Sequence, residues 1–145
     1  MTQEEKELLL KELCARLPYG VKVYINSPIE EQNSMELFDV NLDSEHIGVG
    51  NEKWVFRAIP IIDDEDESKV IKPYLRPMSS MTEEEKEEYK TISIWGEVRE
   101  SKDHYTGICP TIEGYDWLNA HHFDYRGLIE KGLALQAPEG MYNLK

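Results

Sequence analysis

The stretch from Val21 to Ile59 constrains the fold most, because apolar and polar residues alternate through several short runs with no helical pattern between them. Val21-Lys22-Val23-Tyr24-Ile25 is the first run. Phe38-Asp39-Val40-Asn41-Leu42-Asp43 is more regular still, and Ile47 and Val49 continue it after a short turn. Trp54 to Ile59 is the last, ended by Pro60. Period two sends one set of side chains to a buried face and the other to water. Strands of this kind, separated by turns such as Ser27-Pro28 and Gly50-Asn51, predict an antiparallel sheet and argue against a doubly wound parallel one.

Helical signals flank the strands. Thr2-Gln3-Glu4-Glu5 is a capping box, in which the Thr2 hydroxyl accepts the Glu5 amide and the Glu5 carboxylate reaches back. Leu10, Leu13, Cys14 and Leu17 then fall at the spacing of one buried stripe, and Pro18 and Gly20 stop the helix. Thr82-Glu83-Glu84-Glu85 is a second capping box, opening a surface helix that runs to about Lys90. From Thr111 the pattern is helical again, with Trp117, Leu118 and Ala120 as apolar bulk and an end near Phe123. Asp124 is placed to cap a second short helix, Tyr125 to Lys131, which Gly132 closes. The expected fold class is α+β: a mainly antiparallel sheet with an N-terminal helix and two short C-terminal helices, in one domain over residues 1–145.

Between these units, Lys72-Pro73-Tyr74-Leu75-Arg76-Pro77 must be extended, since each proline pushes the preceding residue toward β geometry. Its two prolines exclude a central strand. Ile92 to Val98 reads as a further strand, and Ser101 to Gly107 as a polar turn. Leu133-Ala134-Leu135 is a short apolar exit.

Composition removes several classes of function. Sixteen Lys and Arg against 29 Asp and Glu leave a net charge of −13 on 145 residues, a field that repels phosphate backbones. The cations are scattered among acids, so direct nucleic-acid binding is not expected. Cys14 and Cys109 are the only cysteines, too few for a disulfide framework. The acidic start, Met1-Thr2-Gln3-Glu4-Glu5, is unlike a signal peptide, and no run approaches a membrane span. A cytoplasmic protein with no membrane association is the expectation. Asp63 to Glu67 is five consecutive acids, but a calcium loop needs glycine and a distal glutamate where Ser68 and Tyr74 stand. A solvated loop is expected there.

His121-His122-x-Asp124 invites a metal hypothesis. Adjacent helical residues point about 100° apart, so the two histidines do not easily share an ion. A site would need one of them, Asp124 and a distant ligand such as His104 or His46. The reading is a helix-end role, with no metal and no cofactor. No nucleophile elbow or phosphate-binding glycine loop is present, and no catalytic residue is assigned. Cys14 reads as a core residue, and Cys109, the other cysteine, likewise. The last two helices carry too few cations for a DNA-reading helix-turn-helix.

Two blocks carry a resemblance. One is Lys72-Pro73-Tyr74-Leu75-Arg76-Pro77-Met78-Ser79-Ser80-Met81-Thr82. The other runs from Trp117-Leu118-Asn119-Ala120-His121-His122-Phe123-Asp124-Tyr125-Arg126-Gly127 to Ala134. Together they resemble a widespread set of uncharacterised proteins encoded by Bacteroides-like gut bacteria and by their phages and prophages. The resemblance implies an origin in mobile genetic elements and brings no chemistry with it. The expected function is therefore a small acidic protein-interaction domain, with a protein partner and preferably a basic one. The candidate binding residues are Tyr74, Arg76, His121, His122, Asp124 and Arg126. The alternative is an enzyme of unrecognised type, with a pocket near His121, Asp124 and Arg76.

Overall fold

A computed structural model describes residues 1–62, 71–92, 98–101, 104–107 and 112–142. The acidic run from Asp63 to Glu67, Cys109 and most of the expected 92–98 strand lie outside the described residues. The chain runs α1 (Gln3–Arg16), β1 (Lys22–Tyr24), β2 (Met35–Asn41), β3 (His46–Gly50), β4 (Val55–Pro60), β5 (Lys72–Leu75), α2 (Glu83–Ile92), β6 (Val98–Ser101), β7 (His104–Gly107), α3 (Ile112–Ala120) and β8 (Leu135–Gln136). Six strands form one sheet in the order β4-β3-β2-β1-β5-β8, antiparallel throughout except for the parallel β5–β8 pair. The fold is α+β. The hairpin β6–β7 stands apart, pairing Ser101 with His104, so the segment read as a polar turn is largely strand.

Both capping boxes form. Glu5 N–H donates to Thr2 Oγ1 at 3.1 Å, and Thr2 N–H donates to the Glu5 carboxylate at 3.1 Å. Thr82 and Glu85 repeat the exchange at 3.1 and 3.0 Å. The phase of α1 differs from the leucine pattern. Its buried residues are Leu9, Glu12, Leu13 and Arg16, while Leu10, Cys14 and Leu17 sit half-buried on the flank. Hydropathy alone rejects Glu12 and Arg16 from a buried stripe. They are admitted because they neutralise each other four residues apart. Leu9 and Leu13 join Val21, Val23, Met35, Leu37, Ile47 and Val49 in the main core.

In β2 the buried side chains are Met35 and Leu37, and a register shift between Leu37 and Asp39 then breaks the alternation. Phe38 therefore faces outward opposite buried Leu37, 41% exposed, contrary to the face expected of it, while the extra residue brings Val40 against the core; Leu42, past the end of β2, is 57% exposed. Phe38 lies across Gly48, where an added Cβ would stand 2.7 Å from the ring.

β5 is an interior strand, contrary to what its prolines predict. Ile71, Pro73 and Leu75 are buried on alternate positions. The tolerance has a local reason: β8 pairs only Tyr74 and Leu75, so Pro73 has a strand beside it on the β1 side alone.

The second expected C-terminal helix is a chain of turns. Gly127, at φ 74°, interrupts helical backbone two residues after Tyr125. The segment still closes as expected at Gly132, at φ 73°, where Leu133 N–H bonds Leu128 O and Gly132 N–H bonds Ile129 O.

Candidate functional site

Helix α3 ends at Ala120, short of Phe123, because His122 takes the left-handed position that usually falls to glycine, at φ 63°. Phe123 N–H returns to Leu118 O at 3.0 Å, His122 N–H to Asn119 O at 3.1 Å, and the Phe123 and Leu118 side chains share a core cluster. This stop turns the chain alongside the end of β5. Arg76 N–H donates to His122 O at 2.7 Å, and Asp124 N–H donates to Arg76 O at 2.8 Å, making an isolated parallel bridge between Arg76 and Phe123. The two blocks that carry the resemblance are thus joined backbone to backbone.

Arg76 is held from several directions. Both its terminal nitrogens donate to Glu85, at 2.8 and 2.7 Å, and one also reaches His121 O at 3.3 Å. The guanidinium lies 4.1 Å from the Phe123 ring centroid. Arg76 therefore meets both a carboxylate and a helix-end carbonyl, but the carboxylate comes from α2 and not from Asp124. Partial burial works against the Glu85 charge. The bonds from Arg76 and Thr82 outweigh it and hold that carboxyl below the usual range.

Arg76 and His121 share the wall of a cleft of about 650 Å³ between α2 and the C-terminal residues 136–142. Glu84, Glu85, Glu88 and Glu139 also face it, so four carboxylates surround one guanidinium that Glu85 already engages. The helical spacing of Glu84 and Glu88 puts both on the cleft side of α2. Glu88 accepts the Trp117 indole N–H at 3.0 Å. His121 stacks on Trp117 with centroids 4.0 Å apart, and its Nδ1 is 2.8 Å from Trp117 O, a contact that requires a proton on Nδ1.

The other candidate residues lie elsewhere. His122 is buried behind the cleft, its ring stacked on Tyr142 at 3.7 Å, with Nδ1 buried and without a partner among the described residues. Burial and the nearby cations Arg16, His121, Arg76 and Lys22 push His122 down to about 4. Tyr74 contributes its backbone carbonyl to Tyr142 and does not line the cleft. Asp124 and Arg126 line a second cavity of about 470 Å³. Both Asp124 oxygens are occupied, by Leu128 N–H at 2.8 Å and Ile129 N–H at 3.0 Å. Burial nonetheless raises its carboxyl above the ordinary value. Among the described residues no three His, Cys, Asp or Glu side chains converge as metal ligands.

Sequence reasoning passes over three residues that matter here. Glu12 is fully buried between Arg16, which is also fully buried, and Arg126 at 2.8 Å. Arg16 donates onward to Phe123 O, tying α1 to the α3 stop. Tyr142 reaches back to the sheet from the far end of the chain. The Glu12–Arg16 spacing was the available signal, though it describes surface pairs equally well.

Among the described residues no helix is long and apolar enough to cross a membrane. Comparison with protein-family models, with curated proteins and with solved structures finds no match.

Proposed function

We propose that this domain binds a protein partner by receiving a basic segment in the cleft between α2 and residues 136–142. The observation that carries the reading is the charge of the cleft: four carboxylates and a single guanidinium already engaged by Glu85. An incoming Lys or Arg side chain would find acceptors in Glu84 and Glu139, both exposed. The overall charge of −13 would steer such a partner in and keep phosphate backbones away. An origin in phages or other mobile elements of gut bacteria, and a cytoplasmic setting, go with this proposal. The first rests on the two resembling blocks and the second on the sparse cysteines.

An enzyme built on His121, Asp124 and Arg76 has less support. Asp124 faces a different cavity with both oxygens bonded, and Arg76 is held by Glu85.

Titration with hexalysine, followed by tryptophan fluorescence because Trp117 bonds Glu88, tests the binding reading. Saturable binding is expected, weakening steeply as salt rises. Glu84→Gln with Glu139→Gln should reduce affinity about fivefold or more, the loss of one or two exposed charge pairs. Binding that those substitutions and salt leave unchanged would sink the proposal.

A further inference from the structure

The far wall of the cleft is the last described stretch of chain, and its attachment is unusual. β8 ends at Gln136. Ala137 N–H makes one more bond, to Leu75 O at 2.8 Å, and Met141 N–H closes a turn onto Pro138 O at 3.1 Å. Pro138, Glu139 and Gly140 between them are exposed. The strap then returns to the sheet through one side chain. The Tyr142 hydroxyl accepts from Lys22 N–H at 2.9 Å and donates to Tyr74 O at 2.7 Å.

Lys22 and Tyr74 belong to neighbouring strands. The β1–β5 ladder pairs Tyr24 with Lys72 and Val23 with Pro73, and there it stops. Continued by one residue, the same register would place Lys22 opposite Tyr74. The Tyr142 hydroxyl thus occupies the opening where the next rung would form, taking the donor from one strand and the acceptor from the other.

That placement decides the energetics of release. Withdrawing a buried side chain from two backbone groups ordinarily leaves both unsatisfied, at a cost of about 1–3 kcal/mol each. Here the two groups left behind are a donor and an acceptor facing each other across an open end of a ladder. They can pair directly or through one water. His122, uncovered when the Tyr142 ring leaves, would gain water at the buried Nδ1 that has no partner among the described residues while the strap is closed. Each backbone group that Tyr142 satisfies has another partner available without it. That lowers the cost of releasing Tyr142, and a ligand can bias an element whose second arrangement is cheap to reach.

We propose that residues 137–142 form a strap that opens and closes the acidic cleft, with Tyr142 as its latch. Closure brings Glu139 against α2 and completes the cleft, so a bound cationic segment holds the strap shut. This gating rests on the cleft being the binding site; the latch itself does not.

Hydrogen exchange at the Lys22 amide reads the latch directly, because its proton is donated to Tyr142. In the free protein this amide should exchange at least about tenfold faster than those of the β2–β3 ladder, opening locally without global unfolding. Tyr142→Phe keeps the ring stack and removes the hydroxyl. It should accelerate exchange at residues 137–142 and weaken hexalysine binding, leaving the β2–β3 amides unchanged. Saturating hexalysine should slow Lys22 exchange in the unsubstituted protein. A Lys22 amide that exchanges only with global unfolding, or a Tyr142→Phe variant that unfolds as a whole, makes Tyr142 a fixed anchor and overturns the latch. Hexalysine that binds without slowing Lys22 overturns the gating. Hexalysine that fails to bind overturns the cleft reading and the gating with it, while peptide-free exchange still decides the latch.

Discussion

Glu12 and Arg16 form a fully buried ion pair one helical turn apart on α1, and Arg126 reaches the same carboxylate from the far end of the chain at 2.8 Å. A lone carboxylate at that depth would be intolerable, and so would a lone guanidinium. Removing Glu12 therefore strands the Arg16 guanidinium, whereas Glu12 without Arg16 keeps Arg126. Glu12→Ala should cost about 3–5 kcal/mol, measured by urea denaturation. Replacing both Glu12 and Arg16 with Met should recover most of that loss, since well-packed apolar pairs often match a buried ion pair. A double variant as unstable as the single one would mean that the Arg16 bond to Phe123 O carries the effect instead.

The phase of α1 is tested by its leucines. Leu9→Ala and Leu13→Ala should each cost about 2–5 kcal/mol, since both are fully enclosed in the main core. Leu10→Ala should cost clearly less, because that side chain is only half-buried. Equal losses at positions 9 and 10 would contradict the observed phase.

Acid should destabilise the protein earlier than its carboxylates require. His122 titrates near 4 when folded and near 6.5 when unfolded, so between those values the unfolded chain binds more protons. Its contribution is fully present above pH 6.5 and is lost as pH falls toward 4, by about 3 kcal/mol in all. Burial is the main cause, reinforced by Arg16, His121, Arg76 and Lys22 around it. Asp124 works in the opposite direction, since its raised carboxyl binds a proton more readily when folded than when unfolded. The slope of stability against pH between 4 and 6.5 should flatten in His122→Asn, a residue that tolerates the left-handed backbone required there. An unchanged slope would place the titrating group elsewhere.

At the junction of the two resembling blocks, Arg76 should couple to Glu85 and not to Asp124. The Arg76–Glu85 side chains meet in a two-bond contact, whereas Arg76 meets Asp124 only through the backbone. Asp124→Ala should cost about 1–2 kcal/mol by orphaning the Leu128 and Ile129 amides. Double-mutant cycles with Arg76→Ala should give a coupling above about 0.5 kcal/mol for Glu85→Ala and additive losses for Asp124→Ala. The reverse result would relocate the partner of Arg76.

What the sequence by itself determined is everything whose bonds close within a few residues. The capping boxes at Thr2 and Thr82 form as read, because hydroxyl, amide and carboxylate lie within one helical turn of each other. Asp124 holds the loop after it, Gly132 ends that loop, and period-two runs become antiparallel strands. Tertiary structure decided what depends on distant partners. Arg16 is buried because Phe123 O lies 107 residues away to receive it, and no local pattern announces that. Pro73 enters the interior of the sheet because β8, which begins 62 residues later at Leu135, stops short of it. The bulge after Leu37 shows that even strict alternation does not settle which face is covered, because one extra residue exchanges the two faces. The acidic cleft belongs to the same class, since its two walls, α2 and residues 136–142, are distant in the chain, and Tyr142 fixes the second wall to Lys22 and Tyr74. Burial is a property of the assembled chain, and a sequence records it only where the covering element is close at hand.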